Sequence, residues 1–175
     1  LDWPNGPETM REYARVLQEI GFPPCPGEVM VSNPFWVQPI SEWTKRMQDW
    51  VNLGDEESIL KLSIAVDAAP VAGNAALYKT SRNWFFKEIQ QHQRFLTAFA
   101  KVATVFDTPL TLLGSIRNRS NGIDLKRGGI FPIVHGVRTM ALQYQIPENN
   151  TFSRITALVD MGVLPRRMGH ELHEA

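Results

Sequence analysis

A single cysteine in 175 residues rules out an internal disulfide framework and any metal site built from several thiolates. An excess of either charge is also missing. Eighteen Lys and Arg stand against eighteen Asp and Glu, so no overall field draws the chain to nucleic acid or to anionic lipid. No apolar run reaches the roughly 18 residues of a membrane span, and no basic-then-apolar leader opens the sequence. A cytoplasmic setting is therefore expected, with the Asn-x-Ser/Thr matches at Asn118 and Asn149 arising by chance. The start at Leu1, without a methionine, suggests an excised fragment.

What is present fits a soluble globular chain. Hydrophobic residues make up 43% and charged residues 21%, too apolar a mixture for disorder. The length suits one domain of ordinary size, which would bury roughly 70% of its unfolded surface. Met10, Tyr13, Leu17 and Ile20 recur at helical spacing before Gly21. Cys25, between Pro24 and Pro26, reads as a buried small hydrophobe. Val29-Met30-Val31 is the best short strand, ended by Asn33-Pro34.

Further along, the pattern becomes helical throughout. Ser41 is placed to cap a helix whose apolar face is Trp43, Met47, Trp50 and Val51. Asp55-Glu56-Glu57 marks a second helix start, and the run Ile59 to Ala69 continues it towards Pro70 and Gly73. Asn74 can cap a helix through Leu77, Trp84, Phe85 and Ile89; another runs from Phe95 to Phe106. Residues 114–124 read as a loop. Gly128-Gly129 then opens a helix with Ile130, Ile133, Val134, Val137 and Ala141 on one face, and Pro132 tolerated in its first turn. Thr151–Met161 and Arg166–Glu174 complete the set. The fold class that follows is mainly α, a helical bundle preceded by a small α/β segment. Trp36, Trp43, Trp50 and Trp84 read as core rather than as a stacking surface.

Candidate chemistry is sparse. Metal-assisted phosphate chemistry needs paired carboxylates that hold Mg²⁺. Gly114-Ser115 is present, but no carboxylate pair follows it on a strand, and Asp124 stands alone. His170 and His173 could share a metal on one helix face but lack a clear third ligand. His135 reads as a satisfied structural histidine, and His92 as an exposed one. The densest basic segment joins Arg117-Asn118-Arg119 to Lys126-Arg127 ahead of Gly128-Gly129. Cationic side chains beside free helix N–H groups can hold phosphate. Arg138 follows Arg127 by eleven residues, a spacing that shares a helix face.

Several of these pieces, in order, resemble one family. Gly21-Phe22, Cys25-Pro26-Gly27, Val29 to Pro34 with Trp36, Glu42-Trp43 and Asp49-Trp50 form the first set. Asp67 with Val71 to Gly73, Ile123 to Lys126, Arg138 with Ala141-Leu142, and Thr151 with Arg154 form the second. The chain resembles the C-terminal part of bacterial nucleotidyltransferases associated with CBS and cyclic-nucleotide-binding modules, a group similar to the protein-PII uridylyltransferases. The resemblance implies residues 1–54 as the end of a catalytic core and 55–175 as a helical substrate-binding domain. It implies Mg²⁺ and a nucleoside triphosphate in the parent protein, with neither held tightly by this portion. The expected partners are the upstream core, a CBS or cyclic-nucleotide-binding module and a regulatory protein acceptor.

No catalytic or metal residue is assigned within the chain, because the family's metal-binding aspartates would precede Leu1. Asp124, Lys126, Arg127 and Arg138 are the candidate substrate- or phosphate-binding residues, lining one cleft. Asp67 joins them as a cleft residue or a helix-end group. Ala69 stands where the family pattern has arginine. That departure favours the alternative of a non-catalytic regulatory interaction module; an unrelated helical ligand-binding domain is a third possibility.

Overall fold

The computed structural model describes residues 5–104 and 124–175. Ile123, Phe106, Gly114-Ser115 and Arg117-Asn118-Arg119 lie outside the described residues, as does the side chain of Arg127. The described residues form two compact units, 1–46 and 47–175. No helix among them is long and apolar enough to cross a membrane.

In the first unit, α1 (Gly6–Glu19) starts with Pro7 in its first turn, where a missing N–H costs nothing. Arg15 pairs with Glu12 and Glu19 on its exposed face. Beyond α1 the chain turns repeatedly. The Glu28 N–H donates to the Cys25 carbonyl at 2.9 Å, Asn33 to Met30 at 3.0 Å and Trp36 to Asn33 at 3.0 Å. Val29-Met30-Val31 therefore forms no strand. It lies between successive turns, and no described segment offers it a ladder partner. Cys25 is exposed rather than buried, since this turn is too short to fold over it. The aromatics cluster instead: Trp36 contacts Phe35 and Trp43 at 5.4 and 6.2 Å between centroids. The Arg46 guanidinium lies 4.2 Å over the Phe35 ring.

Helix α2 (Ile40–Leu53) starts one residue before Ser41, so Ser41 sits in the first turn rather than at the cap. It buries Met47, Trp50 and Val51. Trp50 is buried, whereas Trp36, Trp43 and Trp84 are half-buried.

Side-chain caps set the starts of the next helices. Asp55 accepts the Ser58 N–H at 2.8 Å and opens α3 (Glu56–Val66). Asn74 accepts from Ala76 at 2.9 Å and opens α4 (Ala75–Ile89). Asn150 accepts from Ser153 at 2.8 Å and opens α7 (Thr151–Asp160). Between them lie α5 (Gln93–Thr104) and α6 (Phe131–Gln143), and α8 (Arg166–Glu174) closes the chain.

Helix α6 is entered through a wider π turn, Lys126–Ile130. Pro132 has no N–H to give an i−4 carbonyl, and a π turn absorbs that kind of break. At the other end Gln145 takes a left-handed φ of 56°, and the Ile146 N–H returns to the Ala141 carbonyl at 2.8 Å. Gly162, φ 73°, ends α7 in the same way, with Val163 bonded to the Leu158 carbonyl at 2.9 Å.

These closures fold α6, α7 and α8 onto one core of Val137, Ala141, Ile146, Ile155, Leu158 and Leu164. Each fully buried aliphatic there contributes about 1.5–3 kcal/mol. Gly169 lets α8 approach α7 closely: a Cβ at that position would overlap Val159 Cγ2. A valine in a helix cannot easily rotate away. Gly169→Ala is therefore expected to destabilise the chain by about 1–3 kcal/mol in urea unfolding, despite alanine's better helix propensity. Adding Val159→Ala should recover most of the Gly169→Ala deficit, measured against Val159→Ala alone.

Candidate functional site

Asp67 sits at the C-terminal end of α3, where the helix dipole disfavours a negative charge. Cations from other helices answer it. Arg138 of α6 approaches both carboxylate oxygens through Nε at 3.1 and 3.2 Å and also donates through Nη2. Arg154 of α7, only 1% exposed, donates through Nη1 to the same carboxylate at 2.7 Å. One carboxylate thus ties three helices together.

Arg82 of α4 extends the cluster. Its Nη1 donates to the Val66 carbonyl at 2.9 Å and its Nη2 to the Pro147 carbonyl at 2.5 Å. The Arg154 Nε donates to the Glu148 carbonyl at 2.9 Å. The loop between α6 and α7 is therefore pinned by two guanidiniums.

His135 is buried one turn before Arg138. Its Nε2 lies 2.8 Å from the Phe99 carbonyl, so that nitrogen carries the proton and Nδ1 is left as an acceptor, 3.4 Å from Arg138 Nη1. Its ring stacks on Phe99 at 4.4 Å and on Phe131 at 5.4 Å. Burial, with the neighbouring Arg138 charge, holds its pKa below the usual histidine value, against the opposing pull of the Phe99 carbonyl. Burial also raises the Asp67 carboxyl, but Arg138 and Arg154 outweigh that effect and leave it below its ordinary value. Burial lowers Arg154 in turn.

Beside this cluster a groove of about 610 Å³ runs between α3 and α6. Ile59, Leu60, Ile64 and Ala68 form one wall, Phe131 and Val134 another, with Val102 of α5 between them. Polar groups enter chiefly as Glu56 at the start of α3, Ser63, and Asp67, His135 and Arg138 together. That volume and apolar lining are those of a binding site. The arrangement suits binding rather than proton transfer, because the Asp67 oxygens are committed to two guanidiniums. The same commitment makes the donor set a poor fit for Mg²⁺, which wants free carboxylates. Among the described residues no three His, Cys, Asp or Glu side chains converge on a metal position.

Asp67 and Arg138 are thus brought together, and Asp67 is both a helix-end group and a groove residue. Asp124 and Lys126 are exposed at the start of the π turn and are not among the groove's lining residues. Along a helix, Lys126 and Arg138 are roughly 18 Å apart. The Gly128 N–H is also not free, since it donates to the Asp124 carbonyl at 2.8 Å. His135 is the satisfied structural histidine its sequence neighbours suggest. His92 is half-buried against Glu88 at 2.9 Å rather than exposed. Arg82 and Arg154 escaped the sequence reading as site residues. Their signal was positional: Arg154 lies four residues before Leu158, and Arg82 three and seven before Phe85 and Ile89, on core-facing stripes.

Comparison with known families gives two matches. Residues 93–175 match the family described as "Putative nucleotidyltransferase substrate binding domain", and residues 4–57 match "Putative nucleotidyltransferase DUF294". The two matches together cover more than three quarters of the sequence, and in both the chain is similar to nucleotidyltransferase families. No curated protein and no solved structure matches it.

Two outcomes follow from the cluster. Asp67→Asn leaves Arg154 buried beside a neutral partner, and urea unfolding should show a loss of about 3–5 kcal/mol. The second concerns pH. A histidine with a lowered folded pKa takes up its proton more readily when unfolded, so its contribution is complete above about pH 6.5 and falls as the pH drops towards the folded value. The urea midpoint should therefore be lower at pH 5.5 than at pH 7.5, and His135→Gln should shrink that difference. Asp67 acts further down, its contribution being lost only as pH falls below about 4.

Proposed function

We propose that this chain is the acceptor-side portion of a nucleotidyltransferase that modifies a regulatory protein in bacterial signal transduction, in the manner of the protein-PII uridylyltransferases. The observation that carries the reading is the groove between α3 and α6. It lies partly in the segment matched as a substrate-binding domain, and its walls suit an apolar surface better than a triphosphate. A triphosphate needs several uncommitted cations, whereas the guanidinium that lines this groove is already shared with Asp67.

In this reading Mg²⁺ and the nucleoside triphosphate belong to a catalytic core outside the chain, which works in the cytoplasm beside a CBS or cyclic-nucleotide-binding module. Lys126, on the exposed approach to α6, offers positive charge to the phosphates, with Arg127 next to it in sequence and Asp124 two residues before. Arg138 serves the acceptor side through the groove.

Purified chain incubated with labelled UTP or ATP, Mg²⁺ and a PII-type protein should transfer no label, whereas the full-length protein should transfer it. Lys126→Ala in the full-length protein should raise KM for the nucleotide several-fold with little change in kcat. Robust transfer by the chain alone, or a full-length protein that binds no nucleotide in the presence of Mg²⁺, would contradict the proposal.

A further inference from the structure

The groove has a direction that helps define its occupant. It follows α3 from Glu56 in the first turn to Asp67 at the end, about 16 Å at the helical rise. Its long walls are apolar, and its rim stays open: Leu60 is 59% exposed. A small molecule sunk between the walls would leave that leucine wet, whereas a macromolecular partner would cover it. Both walls are helices, and no strand edge is found among the described residues. A third helix laid along α3 and α6 is the shape such a groove accepts.

Charge differs between the two ends. At the α3 start stands the carboxylate of Glu56. At the other end Asp67 and Arg138 line the groove as an ion pair, and the buried Arg154 behind them leaves one positive charge in excess. His135, held neutral between Phe99 and Phe131, adds no charge. That end therefore favours an incoming carboxylate, and the opposite end disfavours one.

We propose that the groove takes one amphipathic helix of an acceptor protein, with apolar residues at i, i+3 or i+4, and i+7, and with an Asp or Glu that meets Arg138. This rests on the acceptor-side reading given above and names the recognition element of that acceptor.

The test uses the complete chain with methyl labels on Ile59, Ile64, Val102 and Val134. Four capped helical peptides of about 16 residues carry leucines on one stripe, with a glutamate or a lysine in the first or the last turn. One glutamate peptide should shift these methyls saturably, and its lysine counterpart should bind about tenfold more weakly. Leu60→Asp, at an exposed position that leaves the core intact, should weaken binding at least tenfold. Arg138→Gln should erase the preference for glutamate.

The proposal is overturned by an absence of saturable shifts, by equal binding of the glutamate and lysine peptides, or by indifference to Leu60→Asp. Shifts that grow with protein concentration alone would make a second copy the occupant, and shifts driven by Mg²⁺–ATP with peptide excluded would make it a nucleotide site. Either result also overturns the proposal. Labelling by the full-length protein that ignores Leu60→Asp would sink the groove proposal and leave the transferase reading standing. Leu60-dependent peptide binding in a full-length protein without transferase activity would do the reverse.

Discussion

A carboxylate at the wrong end of a helix organises the second unit. Asp67 ends α3, where the backbone dipole repels it, and Arg138 and Arg154 supply the compensation from α6 and α7. Neither arginine could be buried without it. Arg154 has almost no contact with solvent, so its charge depends on Asp67 and on the Glu148 carbonyl. The three-helix tie then fixes where α3 lies against α6, and the groove is the space between them.

The neighbouring stack works with this tie. His135 presents a protonated Nε2 to the Phe99 carbonyl and a bare Nδ1 towards Arg138, which favours the neutral imidazole. Its two aromatic neighbours set the ring plane. Arg138 is thereby held from two sides while one edge still lines the groove. A rigidly placed guanidinium loses little freedom when a ligand meets it, so it can discriminate between charges without reorganising.

Much of the architecture was legible from local chemistry. Asp55 and Asn74 announced their helices through capping, and both caps form. The stripes in α6 and α7 marked the core that Val137, Ile155 and Leu158 fill. Val29 to Val31 was misread because β-branched residues say nothing about whether a partner strand exists. Cys25 was misread because a preference for burial is an average, and a turn bounded by prolines has nothing to cover it. The ion cluster was half legible. Asp67 and Arg138 fall in one candidate set, but 71 residues of sequence separate them and no local pattern encodes a direct pairing across that distance. Arg154 hid on an apolar stripe, where a buried cation looks like an interruption until its partner is known.

The account depends on Asp67 and Arg154 acting as one unit rather than as neighbours. A double-mutant cycle in urea with Asp67→Asn, Arg154→Met and the pair measures that directly. A coupling energy of about 2–3 kcal/mol is predicted, with the double variant more stable than additivity of the two single variants would give. Coupling within about 0.5 kcal/mol of zero would contradict it.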